Sequence, residues 1–234
     1  ALEEFDEAIN TKGALEKNPQ SFELVAEKAL AVAVRFKREP DLAMSLVSKI
    51  LKSRWAPVYL KLNAREWRDS ISRWQNEMKK TKDVSKLSSA QKLRRAKALL
   101  STGWKHQSTS PQSRAGLVDF LRASYLLHVI LGEPEAVKNP VYGEALYYAG
   151  MTAESLREIN LWTLHEAYYE ACIRYQPYTK MAKRCYLRLE AIQLSAYSTY
   201  DGSFIPAHVR DHLYELKALA QKEEGEFLDW GFIE

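Results

Sequence analysis

Residues 145–177 read ALYYAGMTAESLREINLWTLHEAYYEACIRYQP. Tyr169, Cys172 and Ile173 stand at i, i+3 and i+4, which puts their side chains on one face of an α-helix. Pro177 has no N–H to continue that helix and closes it. The same spacing recurs on both sides. Leu2, Phe5 and Ile9 predict an opening helix, and Ser21 is the expected N-cap of a helix over 22–38 that Pro40 stops. Asp41 is the expected cap of 42–54, and 62–80 carries Trp67 and Trp74 on one face. Further helices are expected over 91–105, 114–131, 142–158, 162–175, 178–197 and 206–222, the last with Pro206 at its first position. The stretch 106–113, HQSTSPQS, reads as an exposed loop. No apolar–polar alternation argues for a sheet. Nine Gly and eight Pro in 234 residues are too few for a turn-rich β fold. The expected fold is all-α, about nine helices with short connections and hence antiparallel neighbours, in a single domain over 1–234.

The pattern of 145–177 resembles a tetratricopeptide repeat. Gly150 stands where that family brings paired helices close. Tyr169, Cys172 and Ile173 stand at its packing positions and Pro177 at its terminal proline. The span from Gly150 to Pro177 has an inter-helix turn about three residues longer than the family's. Arg122, Leu126, Val129, Ile130 and Pro134 repeat the pattern more faintly, with an inserted loop over 135–140. The resemblance covers 114–234, whereas 1–113 forms helix pairs without that consensus. It implies an array of helix hairpins that holds a protein or peptide segment in a groove, a scaffold and not an enzyme. Tyrosine clusters in the same half, with eleven of thirteen between Tyr142 and Tyr214. Tyr148, Tyr168, Arg174 and Arg188 are the expected partner-binding residues, because Tyr and Arg are enriched where proteins bind one another.

Net charge is +4, but it is unevenly distributed. Residues 1–30 carry 3 bases and 7 acids, 31–118 carry 20 and 6, and 119–234 carry 11 and 17. Within 73–114 there are 11 bases and 2 acids, with Arg94, Arg95 and Lys97 on one helix and Trp74 and Trp104 near the ends. Nucleic acid or another polyanion is the alternative partner for this region. Its charge is also complementary to the acidic segments on either side, so an intramolecular role is a third reading.

Other chemistry is sparse. His208 and His212 lie at i, i+4, the spacing of two metal ligands, with Asp211 and Glu215 nearby. The sequence there is HVRDH, with Val209 where a metalloprotease helix has its glutamate. A metal-dependent hydrolase using these histidines is the enzymatic alternative; no cofactor or metal is expected. Glu166/Glu170 and Glu154/Glu158 are read as solvated helix faces, and no phosphate-cradling or nucleophile-elbow motif occurs. Cys172 and Cys185 are thirteen residues apart around Pro177, so they either cross-link a helical hairpin or pack as small buried hydrophobes. That pair and the start at Ala1 favour an exported protein of the bacterial periplasm, with the cytoplasm as the alternative. No stretch approaches the ~20 apolar residues of a membrane span.

Overall fold

The helical periodicity becomes ten α-helices in a computed structural model that describes residues 1–10, 19–80, 86–107, 113–156, 164–199, 202–203 and 205–221. They are α1 (Leu2–Asn10), α2 (Pro19–Ala31), α3 (Pro40–Lys52), α4 (Val58–Lys80), α5 (Ser89–Gln107) and α6 (Leu117–Leu131). The remaining four are α7 (Tyr142–Ser155), α8 (Leu164–Tyr175), α9 (Lys180–Tyr197) and α10 (Ala207–Ala220). Helix α2 runs directly into a π-helical segment, Val32–Lys37, and a 3₁₀ turn, Ala136–Lys138, precedes α7. A two-residue antiparallel ribbon joins Ser198–Thr199 to Gly202–Ser203 between α9 and α10. The all-α class therefore holds.

Several expected caps move. Helix α2 starts at Pro19, so Ser21 lies inside its first turn instead of capping it. In α3 the proline itself takes the first turn, Glu39 is the N-cap, and Asp41 turns outward to accept from Gln75 Nε2 at 2.7 Å. Pro206 is the N-cap of α10, one position earlier than expected. Most of the HQSTSPQS loop, Glu158 and Trp162 lie outside the described residues.

Helices adjacent in sequence pack as pairs: α3 on α4, α5 on α6, α7 on α8, α8 on α9, α9 on α10. Around α6 the packing goes further. It also touches α2, α4, α7 and the π segment, and residues from Leu117 to Ile130 are buried on nearly every face. Its close approach to α5 needs two glycines: a Cβ on Gly116 would stand 2.3 Å from the Gly103 carbonyl oxygen. The large core around α6 includes Phe5, Leu30, Ile50, Leu60, Trp67, Ile71, Leu100, Phe120 and Leu127.

A second, smaller core holds Tyr142, Leu146, Tyr169, Ile173, Tyr186, Leu189, Leu213 and Leu216. The sulfur atoms of Cys172 on α8 and Cys185 on α9 stand 2.15 Å apart, at disulfide distance, and both side chains are fully buried. Closing so short a loop contributes roughly 3 kcal/mol in the chain-entropy picture. Gly150 lets α7 and α8 meet here, since a Cβ would come within 2.4 Å of the Tyr169 ring. Tyr168 packs against both cores and ties them together.

Candidate functional site

A helix buried on all sides should be apolar, yet α6 carries Asp119 and Arg122 into the interior at 1% and 6% exposure. Each is held by α4. Ser70 donates to Asp119 Oδ2 at 2.9 Å, and Arg73 Nη2 stands 3.7 Å from the same oxygen. Arg122 Nη2 donates to Glu77 Oε2 at 2.5 Å, and Arg95 of α5 donates to that oxygen at 2.7 Å. Burial alone would raise the Glu77 carboxyl, but the two guanidiniums outweigh it and hold it below the usual carboxylate range. Burial pulls Arg122 down against the pull of Glu77, and pushes Asp119 up.

This bridge of Arg95, Glu77 and Arg122 separates two cavities that share Arg95, Leu99 and Arg122. One, of about 330 Å³, is lined by Val34, Lys37, Arg38, Trp74, Met78, Tyr125 and Leu126 besides the shared residues. The other, of about 610 Å³, adds Arg73, Glu77, Lys80, Leu87, Gln91, Arg94, Ala98, Thr102 and Asp119. Together they make a cleft between α4, α5, α6 and the π segment, with an apolar and aromatic floor and a cationic rim. The sizes suit organic ligands and side-chain anchors. Among the described lining residues, Lys37, Arg38, Arg73, Lys80, Arg94, Arg95 and Arg122 are accompanied by two carboxylates, Glu77 and Asp119. Glu77 is engaged by Arg95 and Arg122, and Asp119 by Ser70, Arg73, His106 and Arg122, whereas Lys37, Lys80 and Arg94 form no ion pair among the described residues.

The local chain is bent to make this rim. The π turn ends at Arg38 in the left-handed region, φ 59°, which costs a non-glycine residue roughly 1–2 kcal/mol. Arg38 offsets this by stacking 4.9 Å over the Tyr125 ring and donating to its hydroxyl at 2.6 Å. Arg122 covers the Trp74 ring at 5.4 Å in the same way. π turns and left-handed residues gather where function needs an unusual backbone.

The sequence-predicted residues fall elsewhere or only partly here. Arg94 and Arg95 line the cleft; Lys97 points away, pairs with Glu144 at 2.7 Å and lies 5.2 Å over Tyr148. Trp74 is buried in the cleft floor, while Trp104 is half-buried and donates to Ser155 at 3.3 Å. Tyr148, Tyr168, Arg174 and Arg188 line none of the described cavities. Arg174 is bound to Glu170 and Glu215, and Arg188 holds Glu154 through two hydrogen bonds while the Tyr169 hydroxyl donates to the same carboxylate. Tyr168 donates to His128 Nε2 at 2.5 Å. The His128 Nδ1–H faces the Ser124 carbonyl at 2.6 Å, so Nε2 is the accepting nitrogen, and Arg35 approaches it at 3.2 Å. Burial holds the His128 pKa below its ordinary value, with the Arg35 charge adding to the effect.

Helices α8 and α10 bring Glu166, Glu170, His208 and His212 to one groove, where His212 Nε2 stands 3.5 Å from Glu170. Among the described residues no three His, Cys, Asp or Glu are placed to hold a metal ion. No described helix is long and apolar enough to cross a membrane. Comparison with protein-family models, curated proteins and solved structures finds no match.

Proposed function

We propose that the protein is a non-catalytic helical scaffold that holds an acidic, aromatic-bearing peptide segment of a partner protein in the cleft between α4, α5 and α6. The observation that carries this reading is the excess of cations around an apolar floor, with Lys37, Lys80 and Arg94 forming no ion pair among the described residues. Carboxylates of a peptide would meet that rim while its aromatic or leucine side chains fill the floor beside Trp74, Met78 and Leu126. A peptide suits the cleft better than nucleic acid, because the aromatic faces that would stack on bases are covered by Arg122 and Arg38. The Cys172–Cys185 pair supports placement in an oxidising, exported compartment.

The reading is tested by calorimetric titration with a synthetic dodecapeptide that alternates Asp and Glu with Phe and Leu. Binding is expected to weaken at least about tenfold between ~50 and ~300 mM salt. Because Lys37 and Arg94 are exposed, the double variant K37E/R94E is expected to fold normally and lose about tenfold or more in affinity. Equal affinity in the variant, or no binding by the native chain, contradicts the reading.

A further inference from the structure

Residues 49–65 carry five bases, Lys49, Lys52, Arg54, Lys61 and Arg65, and no acid. They cover the end of α3, the turn after it and the first two turns of α4. On α4, Val58, Tyr59 and Leu62 fall within about 100° of the helix circumference, opposite the buried Leu60, Ala64 and Trp67. Val58 is 76% exposed and Leu62 53%, and Trp55 in the preceding turn is exposed as well. Aliphatic and aromatic side chains thus stand together in water at the tip of the α3–α4 hairpin, and a contiguous apolar patch of this kind marks a contact surface. We infer that this tip is a second interaction surface, which docks the protein peripherally on a bilayer containing anionic lipid. It is separate from the cleft, because Val58 and Trp74 are sixteen positions apart on α4, or about 24 Å along its axis.

Charge selects the occupant. Lys49 is bound to Asp6 of α1, whereas Lys52, Lys61 and Arg65 form no ion pair among the described residues. Arg54 lies over the Trp55 ring at 5.4 Å. Lys49, Lys52 and Arg54 line an open groove of about 320 Å³ beside Trp55, where their cations suit the phosphate of a lipid headgroup. Each Lys or Arg near an anionic surface strengthens binding roughly fivefold. A second copy of the chain would set the same five bases against themselves, so like charges oppose a dimer through this tip. The side-chain types are those of a membrane boundary. Val58 and Leu62 are wholly apolar, while Trp55 and Tyr59 each join an apolar ring to a polar end. Lysine and arginine keep their charge at headgroup level with their stems along the apolar surface. The Tyr59 hydroxyl is hydrogen-bonded to Glu23 of α2, which holds that ring in place. Glu66, a turn past Leu62 on the same face, marks where the apolar row ends. A fluid bilayer takes up projecting side chains without a matching pocket, whereas a folded partner needs one.

The test is flotation of the full chain with phosphatidylcholine vesicles, either pure or containing about 30 mol% phosphatidylglycerol. At ~50 mM salt the anionic vesicles are expected to bind at least about tenfold more tightly than the neutral ones, with most of the difference gone at ~300 mM. Both Val58 and Leu62 are exposed, and an acid at the first position of α4 suits a helix N-terminus. V58D/L62D is therefore expected to keep its melting temperature and lose about tenfold or more in vesicle binding. K52E/R65E should lose about tenfold as well, and it decides the matter if V58D/L62D melts early. Lipids brominated on their acyl chains should quench the tryptophan fluorescence of the native chain more than that of W55F. No binding to anionic vesicles, equal binding to neutral ones, or full binding by K52E/R65E or by a folded V58D/L62D overturns the inference. Loss of binding in K37E/R94E alone moves the lipid contact to the cleft and overturns it too. A dimer that V58D/L62D dissociates, without flotation, assigns the tip to a second copy. Binding of soluble polyglutamate without flotation, lost in V58D/L62D, assigns it to an acidic polypeptide, and either result overturns the lipid reading.

Discussion

The body around α6 and the body around the Cys172–Cys185 pair meet the same problem in opposite ways. The first has a core large enough to enclose Asp119 and Arg122, and it leaves cations over at its surface. The second has a small core of tyrosines and short aliphatics, and its charges are largely used up internally. Glu154 takes Arg188 and the Tyr169 hydroxyl, Glu170 and Glu215 take Arg174, and Glu190 accepts from Tyr186. The tyrosine-rich half looks more like a binding surface by composition. The difference is one of charge: the first body keeps cations beside an apolar floor, whereas the second pairs Arg174 and Arg188 with carboxylates of its own.

The comparison breaks most visibly if the disulfide is removed. A small core depends on its staple, so reduction, or the C172S/C185S variant, is expected to cost roughly 3 kcal/mol. Hydrogen exchange should show α8 and α9 losing protection while α4, α5 and α6 keep theirs. Uniform loss across the chain would mean that the two bodies do not differ in this way.

A second substitution acts on the first body alone. Glu27 is 2% exposed, with Oε1 3.5 Å from Arg114 Nε, and burial pushes its pKa up to about 7 against the pull of Arg114, with Glu23 adding to the rise. Its folded pKa therefore lies above its unfolded one. The stability lent by the protonated form is complete below about pH 4.5 and is lost as pH rises through 7. Glu27→Gln keeps that form at every pH. Urea unfolding should show a gain of about 2–3 kcal/mol at pH 8 and none at pH 4. A pH-independent effect would contradict the account of this residue.

The smallest effect concerns the joint between the bodies. Tyr168→Phe removes the hydroxyl that donates to His128 Nε2 across α6 and α8. A loss of about 1 kcal/mol is expected in thermal or urea melts. Exchange should rise at α8 and not at α4. An unchanged melting curve would show that the hydroxyl contributes nothing across this boundary.

Much of the fold was legible because helical spacing is local. The face of Tyr169, Cys172 and Ile173 is fully buried, and the two cysteines do span a helical hairpin. Caps were less legible, because Ser21 and Asp41 compete with prolines placed one or two residues earlier. The cleft was only half legible. The basic run exposed Arg94 and Arg95, but Lys37 and Arg38 reach them through a π turn and a left-handed residue that no periodicity announces. Arg38 meets Tyr125 across 87 positions of sequence, beyond any local pattern. One signal was present: Asp119 and Arg122 interrupt an otherwise apolar helix, and charges placed there need partners. The carboxylates that hold Arg174 and Arg188 were not legible, because Glu215 and Glu154 lie 41 and 34 positions away in sequence.

The most direct test of the cleft as the working site is photo-crosslinking with mass-spectrometric mapping. The probe is the acidic dodecapeptide with one phenylalanine replaced by benzoylphenylalanine. Adducts are expected on Trp74, Met78, Leu99 or Tyr125, with their yield falling in K37E/R94E. Adducts confined to α8, α9 and α10, or yields indifferent to the loss of Lys37 and Arg94, would contradict it.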